Sequence, residues 1–323
     1  MNILLWDAKL SPYIVTLKDL LVGDPRIVDA AQCEDLPAAV EEADIIIGST
    51  LGADLARQAN RLRLLHAAGV GTDGIAFDAL GPDVRVATAG HHEESIAEYV
   101  VMALVALQRD IRSQDAILRT GKWVSAGQDP RIPQPATLKG RVVTFLGFGA
   151  IGQASWRALR HFGAEGIAIT RSGSADSAVH GLRWSGRNAE LRAALRESDI
   201  LVVSVPLDSD TRGIIGSDEL SALGSDGLVV NVARGPVVDE HAFFAALERK
   251  TIAGAAIDVW YRYPGPDGNA HPSDLPFGSL DNVIMTPHSS GVTQQTFQER
   301  VVAIAQNINR FVQGEPLADE VTR

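Results

Sequence analysis

The chain has 323 residues, 46% of them apolar, and a formal net charge of −11. That length suits about two ordinary domains with sizeable cores, and the acidic balance argues against nucleic acid as a partner. Its single cysteine, Cys33, excludes an internal disulfide framework and suits a reducing cytoplasm.

Short apolar runs alternate with helical patterns almost from end to end. NILLW, DIIIGS, LRLLHAA and VRVATA read as buried strands, with helical segments such as LPAAVEEA and ADLARQAN between some of them. Such alternation predicts βα units and a parallel sheet. The start, MNILLWDAKLSPY, has no basic n-region and is not expected to act as a signal peptide. Residues 93–121 predict one long helix, with Ser95 or a neighbour as its cap and Gly121 as its stop. Its apolar run YVVMALVAL is too short to cross a membrane. After a Pro-rich loop at 127–140 a second series begins: RVVTFLG, GIAIT, DILVVSV, GLVVNVA, IAGAAIDV and NVIMT. A last helical pattern covers 293–314. The expected layout is a nucleotide domain at 94–291 inserted into a smaller domain built from 1–93 plus 292–323.

VVTFLGFGAIGQASW places Gly147, Gly149 and Gly152 in a G-x-G-x-x-G pattern between a strand and a helix. The first glycine makes the turn, the second lets backbone approach a pyrophosphate, and the third packs helix on strand. Amides at the helix N-terminus then hold the anion. The next strand ends in TRSGS, with Thr170, Arg171 and Ser172 where an NAD site usually carries a carboxylate. An arginine with small hydroxyls suits a 2′-phosphate, so NADP is expected ahead of NAD. Arg171 stacking on adenine in an NAD enzyme is the alternative.

Four more segments complete a pattern: AAGVGTDGI (67–75), VNVARGPVVDE (230–240), AAIDVW (255–260) and TPHSSG (286–291). With the glycine loop they resemble the D-isomer-specific 2-hydroxyacid dehydrogenases, in order and spacing, from about residue 45 to the C-terminus. The resemblance implies an α/β fold of two doubly wound parallel-sheet domains. A Rossmann-type nucleotide domain is then inserted into a flavodoxin-like substrate domain, with the active site in the cleft between them. It implies hydride transfer between NADP or NAD and a 2-oxo or D-2-hydroxy acid, no metal, and a homodimer. Arg234 matches the family's catalytic arginine, whose fork binds carboxylate and carbonyl oxygens. His288 matches its acid/base histidine. The amides of Val70 and Gly71 match the loop that cradles the substrate carboxylate. His92 stands where relatives usually have a pocket asparagine, and it either contacts substrate or caps the long helix. For the cofactor, the resemblance implies Gly147, Phe148, Gly149, Ala150 and Ile151 at the phosphates, and Val205, Pro206 and Thr211 near the adenosine. Val232, Ala233, Asp258 and Gly291 lie towards the nicotinamide, with Asp258 accepting from its carboxamide.

One position departs from the pattern. Five residues after the aspartate, relatives carry a glutamate that pairs with the histidine; here it is Tyr263. Three readings follow: a dehydrogenase using His288 alone or with Glu93, Glu94 or Asp267; a formate-dehydrogenase-like enzyme that moves only a hydride; or a nucleotide-binding sensor without turnover. Tyr261, Arg262 and Tyr263 open a long loop at 261–282, expected either to shape the pocket or to make a dimer contact.

Overall fold

A computed structural model describes residues 1–265 and 268–322, which form two compact units. One comprises Met1–His92 with Val292–Arg323, the other Glu93–Gly291.

In the first unit β1 (Asn2–Leu5), β2 (Arg26–Asp29), β3 (Ile45–Ile47), β5 (Leu64–His66) and β7 (Arg85–Ala87) form a parallel sheet in the order 2-1-3-5-7; β4 (Thr50–Leu51) and β6 (Gly74–Ile75) pair separately. Its helices are α1 (Ile14–Leu20), α2 (Leu36–Glu42), α3 (Ala53–Gln58) and, at the far end of the chain, α11 (Gln294–Gln313). The strands Ile45–Ile47 and Leu64–His66 are buried on both faces, as parallel strands covered by helices must be.

In the second unit α4 (Glu93–Gln108) and α5 (Ile111–Leu118) precede β8 (Val142–Leu146), α6 (Ala150–Arg160) and β9 (Glu165–Thr170). Then come α7 (Ser177–His180), β10 (Trp184–Arg187), α8 (Leu191–Arg196), β11 (Ile200–Val203) and α9 (Ser217–Leu223). The unit ends with β12 (Leu228–Asn231), α10 (Glu240–Glu248), β13 (Gly254–Ile257) and β14 (Val283–Met285). The seven strands run 10-9-8-11-12-13-14, all parallel, so the order reverses beside β8. In sheets of this kind the reversal opens a ligand crevice at the strands' carboxyl ends. The chain closes with α11 (Gln294–Gln313), capped by the Thr293 hydroxyl on the Thr296 amide and stopped by Gly314 at φ +72°.

The single long helix expected over 93–121 is two. Asp110 takes φ +46° and breaks it, and α5 restarts from there. Ser95 lies within the first turn of α4, and its hydroxyl donates to the Ser290 carbonyl at 2.7 Å. Tyr261 belongs to the core: its hydroxyl donates to the Val238 carbonyl at 3.0 Å and its ring stacks on Phe277.

His66 closes the first unit. Its Nδ1 donates to the Ala67 carbonyl and its Nε2 accepts from Asn307, each at 3.0 Å. Asn307 also holds both backbone groups of Ala318 at 2.9 Å, tying the C-terminal segment to the end of β5. Burial pushes the His66 imidazole down to about 4. The sign is fixed by linkage: between about 6.5 and 4 the unfolded chain takes up a proton that the folded chain refuses, so stability falls as pH falls through that window. The expected slope from this residue is about 1.4 kcal/mol per pH unit. Urea unfolding from pH 4 to 7 should show a steeper loss for the native chain than for His66→Gln; equal slopes would exclude this origin.

Candidate active site

The glycine loop divides its labour as the motif requires. Gly147 has φ +93°, and a Cβ there would sit 2.8 Å from the Ser204 carbonyl oxygen. A Cβ on Gly152 would sit 2.4 Å from the Gly147 carbonyl oxygen, so α6 packs directly on the turn. Gly149, the N-cap of α6, has nothing within 4 Å of its Cβ position. That open space above a helix N-terminus fits a pyrophosphate. Phe148 is buried against Phe145 and His180, so it offers the loop its backbone amide and not its ring.

At the end of β9 the Thr170 hydroxyl accepts the Gly173 amide, and the Ser172 and Ser174 hydroxyls bond each other at 2.5 Å. Arg171 pairs with Asp208 from the loop after β11. Burial works to raise the Asp208 carboxyl, but the Thr211 hydroxyl, the Asp210 and Thr211 amides and Arg171 outweigh it and hold it below the usual carboxylate range. Thr211 is buried and also donates to the Pro206 carbonyl at 2.7 Å, which fixes the Val205–Thr211 loop. A second arginine escaped sequence reasoning. Arg187 pairs with Thr170 in the β10–β9 register, donates to the Ser172 carbonyl at 3.2 Å, and packs on Gly173. Only the strand pairing brings it there, seventeen residues on from Thr170.

The carboxyl ends of β12, β13 and β14 carry Arg234, Asp258 and His288, the residues that the sequence pattern singles out. Asn231 accepts the Ala233 amide at 3.1 Å and donates to the Arg234 carbonyl at 3.2 Å, bracing the turn that bears Arg234. The guanidinium donates to the Ala233 carbonyl at 2.8 Å. Val232 and Ala233 are buried beneath it. Gly235 passes so near the next loop that a Cβ would lie 2.4 Å from the Trp260 carbonyl, which brings the arginine turn against the Trp260–Tyr261 backbone.

Asp258 is fully buried, and its carboxylate accepts from Thr286 Oγ1 (2.5 Å) and from the amides of Ser289 (2.8 Å) and Ser290 (3.0 Å). Its carbonyl accepts the His288 amide at 2.8 Å. This clamp holds His288 at φ +55°, a conformation costly for a residue with a Cβ. Behind it, burial pushes the Tyr99 hydroxyl up to about 12. It therefore stays protonated at neutral pH and bonds Thr286 Oγ1 at 2.8 Å. The Trp260 indole donates to the Thr286 carbonyl at 2.9 Å.

Tyr263 reaches the histidine: its hydroxyl lies 2.9 Å from His288 Nδ1 and accepts the Trp260 amide at 3.3 Å. Arg262 turns to Asp274 instead. Of the acids considered beside His288, Glu94 is engaged by Arg157 at 2.5 Å, and Asp267 lies outside the described residues.

In the other unit, the Gly69 carbonyl accepts the Ala89 amide at 3.3 Å, so the Val70–Gly71 loop lies beside the segment leading to His92. Val70 is half exposed and His92 is buried.

A family profile described as "D-isomer specific 2-hydroxyacid dehydrogenase, NAD binding domain" matches residues 101–290. The chain belongs to that family. It is 32% identical over 276 residues to a 2-ketogluconate reductase of Gluconobacter oxydans, covering 85% of this chain and 84% of the relative. A glyoxylate reductase of Aeropyrum pernix is 30% identical over 298 residues, covering 90% and 86%. A D-3-phosphoglycerate dehydrogenase of Methanocaldococcus jannaschii is 28% identical over 93% of this chain, which spans 55% of that relative's length. Among solved structures, a 2-hydroxyacid dehydrogenase family protein from Aeromonas salmonicida superposes with a TM-score of 0.84 at 23% identity, over 99% and 98% of the two chains. As a D-isomer specific 2-hydroxyacid dehydrogenase, the protein is an NAD(P)-dependent oxidoreductase that moves a hydride between cofactor and a 2-oxo or 2-hydroxy acid. No helix among the described residues is long and apolar enough to cross a membrane.

Proposed function

We propose that the protein is a cytoplasmic, homodimeric 2-oxoacid reductase that prefers NADPH. Residues 94–291 bind the dinucleotide, and 1–93 with 292–323 bind substrate. The observation that carries the catalytic reading is the frame at the ends of β12–β14: a braced arginine, a histidine held in a left-handed turn by a buried aspartate, and a hydroxyl on that histidine's Nδ1.

The bound nicotinamide supplies the hydride. Arg234 binds the carboxylate and carbonyl oxygen of the acid, favouring the oxygen as charge develops on it. His288 gives that oxygen its proton, with Tyr263 orienting the ring. The amides of Val70 and Gly71 and the imidazole of His92 hold the acid group. Asp258 would accept from the nicotinamide carboxamide, with Gly291 beside it. Gly147–Ile151 hold the phosphates, while Val205, Pro206 and Thr211 frame the adenosine. A panel of 2-oxo acids plus formate, assayed by nicotinamide fluorescence with NADPH and NADH, tests the reading. Turnover of formate alone, or none with any member, would overturn it.

Arg171, Arg187, Ser172 and Ser174 support the 2′-phosphate preference: two guanidiniums and two hydroxyls gather at the end of the second strand, where Asp208 pairs with Arg171 and Glu190 holds the Arg187 amide. Arg171→Ala should weaken NADPH by about 1.5 kcal/mol or more, roughly tenfold or more in Kd, with little change for NADH. Equal losses for both cofactors would mean that Arg171 only stacks on adenine.

The dimer is supported by apolar side chains exposed in sequence proximity: Met102 and Val105 on α4, Ile111 and Leu118 on α5, then Trp123 and Val124. Trp123 is 71% exposed, unusual for so large an apolar group in a lone subunit. Sedimentation should report a dimer, and Trp123→Asp should shift it towards monomer. A monomeric native chain would remove this part of the proposal.

A further inference from the structure

His92, which the sequence pattern places in the substrate pocket, has a neighbour from far along the chain. Arg300, in α11, places Nη2 2.9 Å from His92 Nδ1 and donates through Nε to the Gly90 carbonyl at 2.8 Å. Its guanidinium lies over the Phe297 ring, 5.4 Å from the centroid. The preceding residue, Glu299, stands 3.6 Å from His91, which has φ +66°. Consecutive side chains of α11 thus hold the Gly90–His92 turn. The same Nη2 reaches the cradle loop: a Cβ built on Gly69 would lie 3.8 Å from it and 3.8 Å from Ser49 Oγ.

A guanidinium has donors and no acceptor. The nitrogen it faces must therefore offer a lone pair, so His92 Nδ1 carries no proton. The proton of the neutral ring then sits on Nε2. Protonating Nδ1 as well would set its N–H against the guanidinium N–H. Asparagine, by contrast, presents both a donor and an acceptor and can serve either.

We propose that Arg300 is a positioning residue that locks His92 as the neutral Nε2–H tautomer, making it an obligate hydrogen-bond donor to an oxygen of the substrate's acid group. This rests on the reductase reading for the identity of the substrate, but not for the tautomer. The pair selects for substrates that present an acceptor at that point, namely 2-oxo acids with an ionised carboxylate, and against those presenting an N–H or O–H donor there. Sequence alone could not show it, because the two residues are 208 positions apart.

Two measurements test it on the full chain. Long-range proton–nitrogen correlation spectra of nitrogen-15-labelled protein near neutral pH, with His92 assigned by its loss in His92→Asn, should show Nδ1 bare and Nε2 protonated. In Arg300→Met the two tautomers should mix. Oxamate, an unreactive 2-oxo acid mimic, should bind the protein–NADPH complex roughly tenfold more weakly in Arg300→Met, the scale of one lost hydrogen bond to a charged group. In a His92→Asn background, Arg300→Met should cost less than about twofold, because the amide needs no tautomer fixed. A proton on Nδ1 in the native spectrum overturns the proposal whether or not the protein reduces 2-oxo acids. The expected tautomer with equal oxamate losses in both backgrounds overturns the positioning role and points to Arg300 supporting the turn alone. The expected tautomer with no 2-oxo acid turned over and no oxamate bound sinks the reductase reading, and the substrate half of this proposal with it.

Discussion

Arg234→Lys should lose about 100-fold or more in kcat/KM for reduction while leaving the affinity for NADPH within a few fold. Lysine keeps the charge, so a purely electrostatic role would survive the change. The fork would not: a guanidinium offers two parallel donors to carboxylate and carbonyl oxygens, whereas an ammonium is a point charge on a mobile stem. The turn carrying Arg234 is held for that purpose, by Asn231 on both sides and by the close passage of Gly235 against Trp260. A donor held this firmly is already placed when charge develops on the carbonyl oxygen, and removing such a donor typically costs 10²–10³ in rate. Steady-state kinetics on the best 2-oxo acid of the panel, with cofactor affinity by fluorescence titration, provide the check. Near-normal kcat/KM in the lysine variant would take Arg234 out of the catalytic role.

The elements that sequence pattern revealed are those with one dominant physical cause. Buried parallel strands such as Ile45–Ile47 and Ile200–Val203 are continuous apolar runs because both faces are covered. The glycine loop announces itself because two of its glycines are sterically obligatory. The edge strands β2 and β10 were missed: Arg26–Asp29 and Trp184–Arg187 are only half buried, and their mixed composition carries no period. The break between α4 and α5 was hidden because Asp110 takes its left-handed turn with no glycine or proline to mark it. In the site, Arg234, His288 and Asp258 stand out because each sits in a local motif. The clamp from Asp258 to Ser289 and Ser290, the packing of Arg187 beside Thr170, and the reach of Arg300 to His92 are contacts between distant segments, and pattern within a window cannot see them.

The largest expected loss is at His288. Asparagine tolerates the left-handed backbone that His288 adopts at φ +55°, so His288→Asn should fold normally while losing the titrating imidazole and its contact with Tyr263. General acid catalysis contributes about 10²–10⁴-fold, and kcat should fall by that order. Tyr263 decides how the lost proton was managed. Its hydroxyl can face Nδ1 as donor or acceptor without bringing the fixed negative charge by which a carboxylate there would favour the imidazolium. Reduction needs the protonated ring, so its rate descends on the alkaline side as that proton is lost. Tyr263→Glu stabilises the charged ring and should carry the descending limb of kcat/KM upward by about one pH unit, roughly tenfold in rate above the native limb. Tyr263→Phe changes no charge; it should lower the rate while leaving the limb in place. Profiles from pH 5 to 10 for all three proteins separate the possibilities. A limb unmoved by the glutamate would show that another acid already serves His288. Full activity in His288→Asn, with formate as substrate, would instead mean that no proton passes through this residue and that the chemistry is hydride transfer alone.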